Sequence, residues 1–532
     1  MKFNKQNFPL DRPFVVGRRG MVASSQPLAV ESAVEMLRRG GNAIDAAVTA
    51  TFVLNVVEPM STGIGGDCFA IIYLAKEKRL IGINGTGRSP AAISVEALKG
   101  RGIEQMPVDG PLSVTVPGAL DGLARCLKDY GTISLSEALA PAISYAQNGF
   151  RVTEVIARQW ERASAKLKLN AESARVYLPD GRSPVAGQIF RNPDLEKTFR
   201  LISEQGTDVF YHGEIAETLA SSVQELSGFM SSSDLAEHSS DLVNPLRSFY
   251  RDSYEVVQMP PNSQGLVALI ALNVLSGYRL NDMFHGSPEY LHHLIEVIAQ
   301  VLTEAQDNVG DPDDPLQIDQ LFSQGHAQNL RKLIKANKAA PKQVAPIDGH
   351  HDTVFVAAVD EERNVVSMIC SLYKSFGSGL TVPGTGLVLQ NRGAGFTLAP
   401  NNRNTLRPRK RPYHTLMPAM ILRDGEPWAC LGVVGGMMQP QGQVQVISNL
   451  LDFQMDPQSA LDAPRFRVLE DYTIALEEGL SDTAAKKLEL LGHRIKQNTT
   501  EEEFGGGQVI LIGGETLFGG SDKRKDGCAI GY

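Results

Sequence analysis

Cysteine is scarce in this sequence of 532 residues, which contains only five, at positions 68, 126, 370, 430 and 528. They are far apart and form no Cys-x-x-Cys pair, which argues against both a disulfide scaffold and a zinc site. Basic residues do not exceed acidic ones, since 51 Lys and Arg face 60 Asp and Glu for a formal charge of −9. Because a nucleic-acid surface needs a basic excess, we expect a small-molecule partner and no nucleic acid.

Long hydrophobic runs are also missing from the front of the chain. The longest uncharged apolar stretch there, residues 46–57, is well short of the ~20 residues that cross a bilayer. No apolar segment follows Lys2 and Lys5, so no secretory signal is predicted. We therefore expect a soluble, cytoplasmic protein without a membrane partner.

Common catalytic motifs are absent as well. The sequence has no Gly-x-Ser-x-Gly, no Gly-x-x-x-x-Gly-Lys-Ser/Thr, no His-Glu-x-x-His and no Gly-x-Gly-x-x-Gly opening a helix. Two adjacent histidine pairs, His292-His293 and His350-His351, raise the question of a metal. Neighbouring residues on a helix point to different sides, so we predict that His292-His293 is an ordinary pair on a helix surface. No metal and no cofactor are expected.

The pattern of elements predicts a layered α/β (α+β) fold. Helices are predicted at 134–146, 152–167 and 287–305, and the composition of 306–349 predicts an exposed polar connector. Directly after it, 353–359 and 365–371 form a predicted β-hairpin, and further strands are predicted at 420–423, 428–433 and 508–512.

Thr353 stands at the first position of this hairpin, directly after the connector. A threonine hydroxyl is a weak nucleophile, but a free α-amino group on the same residue can act as its base. Cleavage between Asp352 and Thr353 would supply that amine. From the spacing alone, however, a β-branched residue that starts a strand remains the ordinary interpretation.

Short motifs lie in a fixed order along nearly the whole chain. Among them are Asp352-Thr353-Val354 and, after it, Gly435-Gly436. The others are the segments 20–24, 40–47, 63–66, 116–118, 259–265, 310–312, 359–360, 375–379, 410–412, 463–466 and 531–532. In their identity and order these motifs resemble the γ-glutamyltranspeptidase family of N-terminal-nucleophile (Ntn) hydrolases.

The resemblance implies a four-layer αββα fold, with a helical portion in the large subunit, made as a precursor that cuts itself before Thr353. The products would be a large subunit of residues 1–352 and a small subunit of residues 353–532, which together form one compact heterodimer. Thr353 is implied to be the nucleophile, Ser371 to stand at the family's second threonine, and Gly435 and Gly436 to form the oxyanion hole with two backbone N–H groups.

The expected substrate pocket departs from the family pattern. Thr86 stands where the family has a carboxylate-binding arginine, and Arg88, two residues further on, is predicted to replace it. Tyr373 replaces an asparagine, and Arg392 adds a cation. His414 and Thr415 stand at the family's two pocket serines, while Ala394-Gly395 replaces the acidic pair that holds a substrate's ammonium group.

These departures resemble the branch with oxamate amidohydrolase and cephalosporin-acylase-like proteins. The segment 397–409 is shorter than the family's usual counterpart, so no lid over the pocket is expected and hydrolysis should exceed transfer. Three hypotheses stay open: hydrolysis of a γ-glutamyl amide such as glutathione, hydrolysis of a small or glutaryl-type acid amide without an α-amino group, and an uncleaved homologue that only binds a ligand. Under the first, Asp67 or Glu503 would supply the missing charge.

Overall fold

Two seven-stranded antiparallel sheets form the centre of the molecule. In the computed structural model, residues 1–4, 12–314, 316–340, 352–469, 471–496 and 499–532 are described. The first sheet has, in spatial order, the strands Cys528–Gly531, Met21–Ser24, Asp352–Val359, Val365–Tyr373, Asp67–Leu74, Arg79–Gly85 and Asp241–Val243. The second has Val15–Gly17, Thr516–Ser521, Gly506–Gly513, Glu426–Val434, Ala419–Arg423, Tyr254–Gln258 and Leu246–Tyr250.

Strand Asp352–Val359 shows how the layers are assembled. Its Phe355 packs into the apolar core between the two sheets, whereas Val354 and Val356 pack into the core between the first sheet and its helices. Alternate side chains of a strand point to opposite faces, so a strand covered on both sides must be apolar throughout. This requirement explains why residues 354–359 form a continuous apolar run.

Helices cover the outer face of each sheet, and the predicted four-layer αββα arrangement is confirmed. Ala43–Val57 is buried at every residue and begins with a capping box between Asn42 and Asp45. The helices on the side of the first sheet are Pro27–Arg38, Ala43–Val57, Ala119–Tyr130, Leu135–Asn148, Glu154–Leu167, Ala171–Tyr177, Pro193–Gln205, Asp208–Tyr211 and Glu214–Glu225. On the side of the second sheet are Gly265–Leu275, Pro288–Asn308, Gln324–Leu333, Met438–Leu451, Pro457–Asp462 and Asp482–Leu490.

The remaining elements are short. The strands are Phe150–Arg151, Ile189–Phe190, Thr381–Val382, Leu387–Val388, Phe466–Val468, Thr473–Leu476 and Arg494–Lys496, and the helices are Val95–Lys99, Ser232–Ala236 and Ile318–Leu321. The predicted helices and strands are therefore all found, with ends shifted by a few residues. Among the described residues, no helix is long and apolar enough to cross a membrane.

One sequence prediction is incomplete and another is wrong. The connector 306–349 is largely exposed where it is described, but it also contains the helix Gln324–Leu333, whose Arg331 donates hydrogen bonds to the carbonyl oxygens of Asn273 and Val274. Its residues 341–349 lie outside the described residues, as do His350 and His351.

The pair His292-His293 is not on a helix surface, since the two residues are 0% and 6% exposed. Helix Pro288–Asn308 is covered on several sides, so adjacent positions can both be buried although they point in different directions.

Candidate active site

Thr353 lies at an irregularity in the pairing of the two central strands of the first sheet. Asp352 pairs with Tyr373 and Val354 with Cys370, so Thr353 alone faces both Ser371 and Leu372. The extra residue, Leu372, turns its backbone away: its N–H donates to Ser61 O, and its carbonyl oxygen accepts from Asn391 N–H. Such β-bulges re-aim side chains and are frequent beside active sites.

Ser371 Oγ contacts both sides of the predicted cleavage point. It accepts a hydrogen bond from Thr353 Oγ1 at 3.2 Å and donates one to the carbonyl oxygen of Asp352 at 2.8 Å. The backbone N–H of Tyr373, which has a positive φ of 83°, donates to the same Oγ at 2.8 Å. One hydroxyl therefore positions the Thr353 hydroxyl and polarises the carbonyl group that this hydroxyl would attack.

Gly435 and Gly436 follow the end of strand Glu426–Val434, and both have positive φ, 116° and 61°. Their carbonyl oxygens accept from the N–H groups of Met438 and Gln439 at the start of the next helix. In the described part of the chain, neither glycine N–H donates a hydrogen bond. A side chain at Gly435 would also approach the backbone of Gly505 to 3.1 Å. Two neighbouring N–H groups without a hydrogen-bond acceptor among the described residues fit the predicted oxyanion hole, whose assignment stays a prediction.

A cavity of about 360 Å³ brings these elements together, since both Asp352 and Gly435 line it. Helix Glu154–Leu167 forms part of its wall with Arg162 and Lys166. Both cations are engaged, because Arg162 pairs with Glu502, and Lys166 pairs with Asp109 and donates to the carbonyl oxygens of Ser375 and Gly377.

Arg392 is a buried cation that contacts two other predicted pocket residues. Its guanidinium carbon lies 4.1 Å from the centre of the Tyr373 ring, and its Nη1 donates to Thr415 Oγ1 at 2.9 Å. Its Nε and Nη2 are buried without a hydrogen-bond partner among the described residues. Burial lowers the pKa of Arg392 to about 10, so the guanidinium stays charged at neutral pH.

His414 is held in one neutral tautomer. Its Nδ1 accepts from the N–H of Leu416, so the proton is on Nε2, which donates to Asp67 Oδ2 at 3.1 Å. Burial, followed by the charge of Arg392, lowers the pKa of His414 to about 3. The other oxygen of Asp67 accepts from Gln390 Nε2 and from the N–H of Gly87. Both ring nitrogens of His414 are therefore engaged within the protein, and its role as a pocket residue stays a prediction.

The structure does not place Arg88 beside the other predicted pocket residues Tyr373, Arg392, His414 and Thr415. Its guanidinium pairs with Asp311 at 3.3 Å and Asp313 at 3.2 Å and donates to the carbonyl oxygen of Arg409. Arg88 lines a separate cavity of about 350 Å³ that shares no lining residue with the one containing Asp352 and Gly435. Its role as carboxylate anchor stays a prediction.

Glu58 is a neighbour of the cleavage point that the sequence reasoning did not select. Its carboxylate is buried and accepts from the hydroxyls of Ser25 and Ser61. Burial raises the pKa of Glu58, and the charge of Lys525 opposes that effect. A signal was present, because an acid directly after a buried helix stands at the end where the helix dipole disfavours negative charge.

The gamma-glutamyltranspeptidase family model matches residues 29–532. This chain belongs to that family. The sequence-based family assignment, and with it the prediction of an enzyme acting on amide bonds, is confirmed.

Several relatives align with this gamma-glutamyltranspeptidase family member over almost its whole length. A glutathione hydrolase-like proenzyme of Bacillus subtilis is 37% identical over 97% of this chain and 99% of its own. An oxamate amidohydrolase proenzyme of Klebsiella pneumoniae is 30% identical over 97% of this chain and 99% of its own. The crystal structure of a cephalosporin acylase from Bacillus halodurans superposes with a TM-score of 0.93, 38% identity, and coverage of 100% of this chain and 99% of that one.

Proposed function

We propose that this protein is a self-processing amide hydrolase that uses Thr353 as its nucleophile and acts on a small or glutaryl-type acid amide. The observation that carries the proposal is a pair of hydrogen bonds that Ser371 Oγ accepts, one from Thr353 Oγ1 and one from the N–H of Tyr373. The ring of Tyr373 in turn packs on the buried guanidinium of Arg392. This arrangement joins a nucleophile to a carboxylate-binding group.

Processing begins when Thr353 Oγ1 attacks the carbonyl carbon of Asp352. A C–O bond forms, the C–N bond of the peptide breaks, and the hydroxyl proton passes to the departing nitrogen, which becomes the α-amine of Thr353. Ser371 Oγ stabilises the developing oxyanion, as its hydrogen bond to the Asp352 oxygen supports. Water then cleaves the ester, giving the Asp352 carboxylate and the free Thr353 hydroxyl.

Processing leaves the sheets intact. The two neighbouring strands that carry Thr353 and Ser371 are flanked on each side by a strand from residues 1–352. The strand with Thr353 pairs with Met21–Ser24, and the strand with Ser371 pairs with Asp67–Leu74. The products, residues 1–352 and 353–532, therefore remain one heterodimer held by shared sheets and cores.

In catalysis the freed α-amine of Thr353 accepts the hydroxyl proton as the same oxygen attacks the substrate amide. The N–H groups of Gly435 and Gly436 donate to the oxyanion, and the protonated amine returns its proton to the leaving nitrogen. Hydrolysis of the acyl ester by water regenerates the threonine. No step requires a cofactor.

The acyl group is proposed to carry a carboxylate that binds Arg392. The buried Nε and Nη2 of this guanidinium can donate two parallel hydrogen bonds to one carboxylate. Thr415 and the Tyr373 ring hold the guanidinium in place.

The alternative substrate, a γ-glutamyl amide, also carries an ammonium group that requires an acidic partner. Asp67 is already engaged by His414, Gln390 and backbone N–H groups, and Glu503 accepts from Lys496 and Thr500. Neither carboxylate is left to bind a substrate. The B. subtilis glutathione hydrolase-like relative nevertheless favours the γ-glutamyl amide as the second candidate.

A substrate panel distinguishes the candidates. Purified protein is first analysed by mass spectrometry for the two chains, and the Thr353→Ala variant must remain a single chain. Cleaved protein is then assayed on glutaryl anilide, γ-glutamyl anilide, glutathione and oxamate. We expect turnover of glutaryl anilide or oxamate well above that of either γ-glutamyl compound. An intact, inactive wild-type protein would contradict self-processing, and preference for γ-glutamyl substrates would contradict the assigned substrate class.

A further inference from the structure

Two histidines and a glutamate meet in the interior of the second helical layer, in a cluster formed by His292, Glu296 and His493. His292 and Glu296 are four residues apart on helix Pro288–Asn308 and therefore lie on one face of it. His493 comes from the segment that leads into strand Arg494–Lys496. The exposed fractions of these residues are 0%, 0% and 7%.

The three potential ligand atoms converge. His292 Nδ1 lies 2.8 Å from His493 Nε2, which lies 3.9 Å from a carboxylate oxygen of Glu296. One ligand atom from each residue lies within 4.8 Å of the others. A Zn²⁺ ion takes nitrogen and oxygen ligands at roughly 2.0–2.2 Å in a tetrahedron, which places the ligand atoms roughly 3.3 Å apart. The two histidine nitrogens would have to separate by about 0.5 Å, and the ligand atoms that lie farther apart would have to approach by up to about 1.5 Å.

The surroundings orient the ligands as in a metal site. His292 Nε2 lies 2.8 Å from the carbonyl oxygen of Lys335, which can only accept, so the ring proton is on Nε2 and the lone pair of Nδ1 faces His493. Metal-bound histidines usually donate their second N–H to such a carbonyl oxygen. One oxygen of Glu296 similarly accepts from the N–H of Ala340.

We propose that the His292 cluster binds one divalent transition-metal ion, Zn²⁺ by preference, through His292 Nδ1, His493 Nε2 and the Glu296 carboxylate. Two neutral imidazoles and one carboxylate suit Zn²⁺ better than Mg²⁺ or Ca²⁺, which require oxygen ligands. For the ion to bind, His493 adopts its other neutral tautomer, in which the proton moves from Nε2 to Nδ1, so that both imidazoles present a lone pair to the ion.

The site lies where the two predicted subunits meet. His292 and Glu296 precede the cleavage point, and His493 follows it. A backbone hydrogen bond beside the cluster also connects the two predicted subunits, because Ala339 N–H donates to Leu491 O at 2.7 Å. If the chain is processed as proposed above, the ion therefore holds the end of the large subunit against the small one.

The direct test is a metal titration of the full-length wild-type protein after treatment with a chelator and dialysis. We expect one Co²⁺ ion per chain with the intense visible absorption of a tetrahedral complex, displacement of this absorption by Zn²⁺, and retention of one Zn²⁺ on gel filtration. The weak absorption of hydrated Co²⁺, with no Zn²⁺ retained, would overturn the proposal. This measurement does not depend on activity or on whether the chain has been cleaved.

Variants assign the ligands. His493→Gln and Glu296→Gln should each weaken Co²⁺ binding by at least ~10-fold. Substitution of a residue that only hydrogen-bonds to a metal ligand already lowers metal affinity by about that factor. His293→Gln is the matched control, because this neighbouring histidine is also buried but donates a hydrogen bond to the carbonyl oxygen of Glu289 and is not part of the cluster. Near-UV circular dichroism confirms folding of each variant. Equal binding by wild type and His493→Gln, or loss in folded His293→Gln, would contradict the assignment.

Discussion

Arg392 packs against the ring of Tyr373, the residue whose own backbone N–H donates to Ser371 Oγ. The guanidinium that is proposed to hold the substrate is therefore separated from the hydroxyl that positions Thr353 by a single residue. Tyr373 is buried and has a positive φ, so its ring and its N–H are fixed relative to each other. A carboxylate bound at Arg392 thus lies at a defined distance from the nucleophile, as orientation of the amide requires.

Replacing Arg392 with lysine should weaken binding of an acid amide without stopping processing. Lysine keeps the positive charge but lacks the planar fork that binds a carboxylate through two hydrogen bonds. Loss of one charge-assisted hydrogen bond, about 1.5–3 kcal/mol, corresponds to a rise in KM for glutaryl anilide of about 10- to 150-fold. Steady-state kinetics on cleaved protein measure this change, and an unchanged KM would refute the proposed role of Arg392.

Gly395→Asp should shift preference toward γ-glutamyl substrates. A Cβ at Gly395 meets nothing closer than the Tyr413 carbonyl oxygen at 3.5 Å and the Tyr373 hydroxyl at 3.9 Å, which are ordinary contact distances. The new carboxylate would offer an ammonium group its missing partner. We expect the ratio of kcat/KM for γ-glutamyl anilide to that for glutaryl anilide to rise at least ~10-fold, the effect of one charged hydrogen bond.

Gly395→Asn is the matched control for this change. It has nearly the same volume without the charge and should leave the ratio close to that of wild type. Equal effects of Asp and Asn on both anilides would indicate that space, and not charge, decides at this position.

Ser371→Ala should slow self-cleavage. The substitution removes the hydrogen bond to the carbonyl oxygen of Asp352 and the acceptor for Thr353 Oγ1. Loss of one oxyanion donor slows comparable reactions about 10²- to 10³-fold. The cleaved fraction can be followed by gel electrophoresis after expression. Ser371→Thr, which restores the hydroxyl, should process nearly as wild type, and rapid cleavage of Ser371→Ala would show that Ser371 is dispensable.

The fold could be predicted from the sequence to a large extent, because its strongest signals are local. Residues 354–359 are apolar on both faces, and Ser134 with Glu137 caps a helix in the structure as the pattern suggests. The arrangement of the pocket could be predicted less well from the sequence, because its contacts join distant segments. Nothing near Arg88 in sequence indicates that Asp311 and Asp313 bind its guanidinium. The contact of His292 with His493 likewise joins residues that are 201 positions apart in the sequence.

The buried neutral His414 should make the fold less stable in mild acid. Its pKa in the folded protein, about 3, lies far below the ordinary value of 6.5. Below pH 6.5 the unfolded chain therefore takes up a proton that the folded chain does not, and the free energy of unfolding falls with pH. Above pH 6.5 neither state is protonated and the contribution is constant. One such histidine contributes a slope of about 1.4 kcal/mol per pH unit.

Urea unfolding of the single-chain Thr353→Ala variant between pH 7 and pH 5 measures this slope without subunit dissociation. Adding His414→Gln should reduce the slope by about 1.4 kcal/mol per pH unit below pH 6, because glutamine takes up no proton in either state. His238→Gln should reduce it similarly, since burial lowers the pKa of His238 to about 4. A slope unchanged by His414→Gln would mean that His414 takes up its proton in the folded protein as it does in the unfolded chain, in conflict with its enclosed position between Asp67 and Leu416.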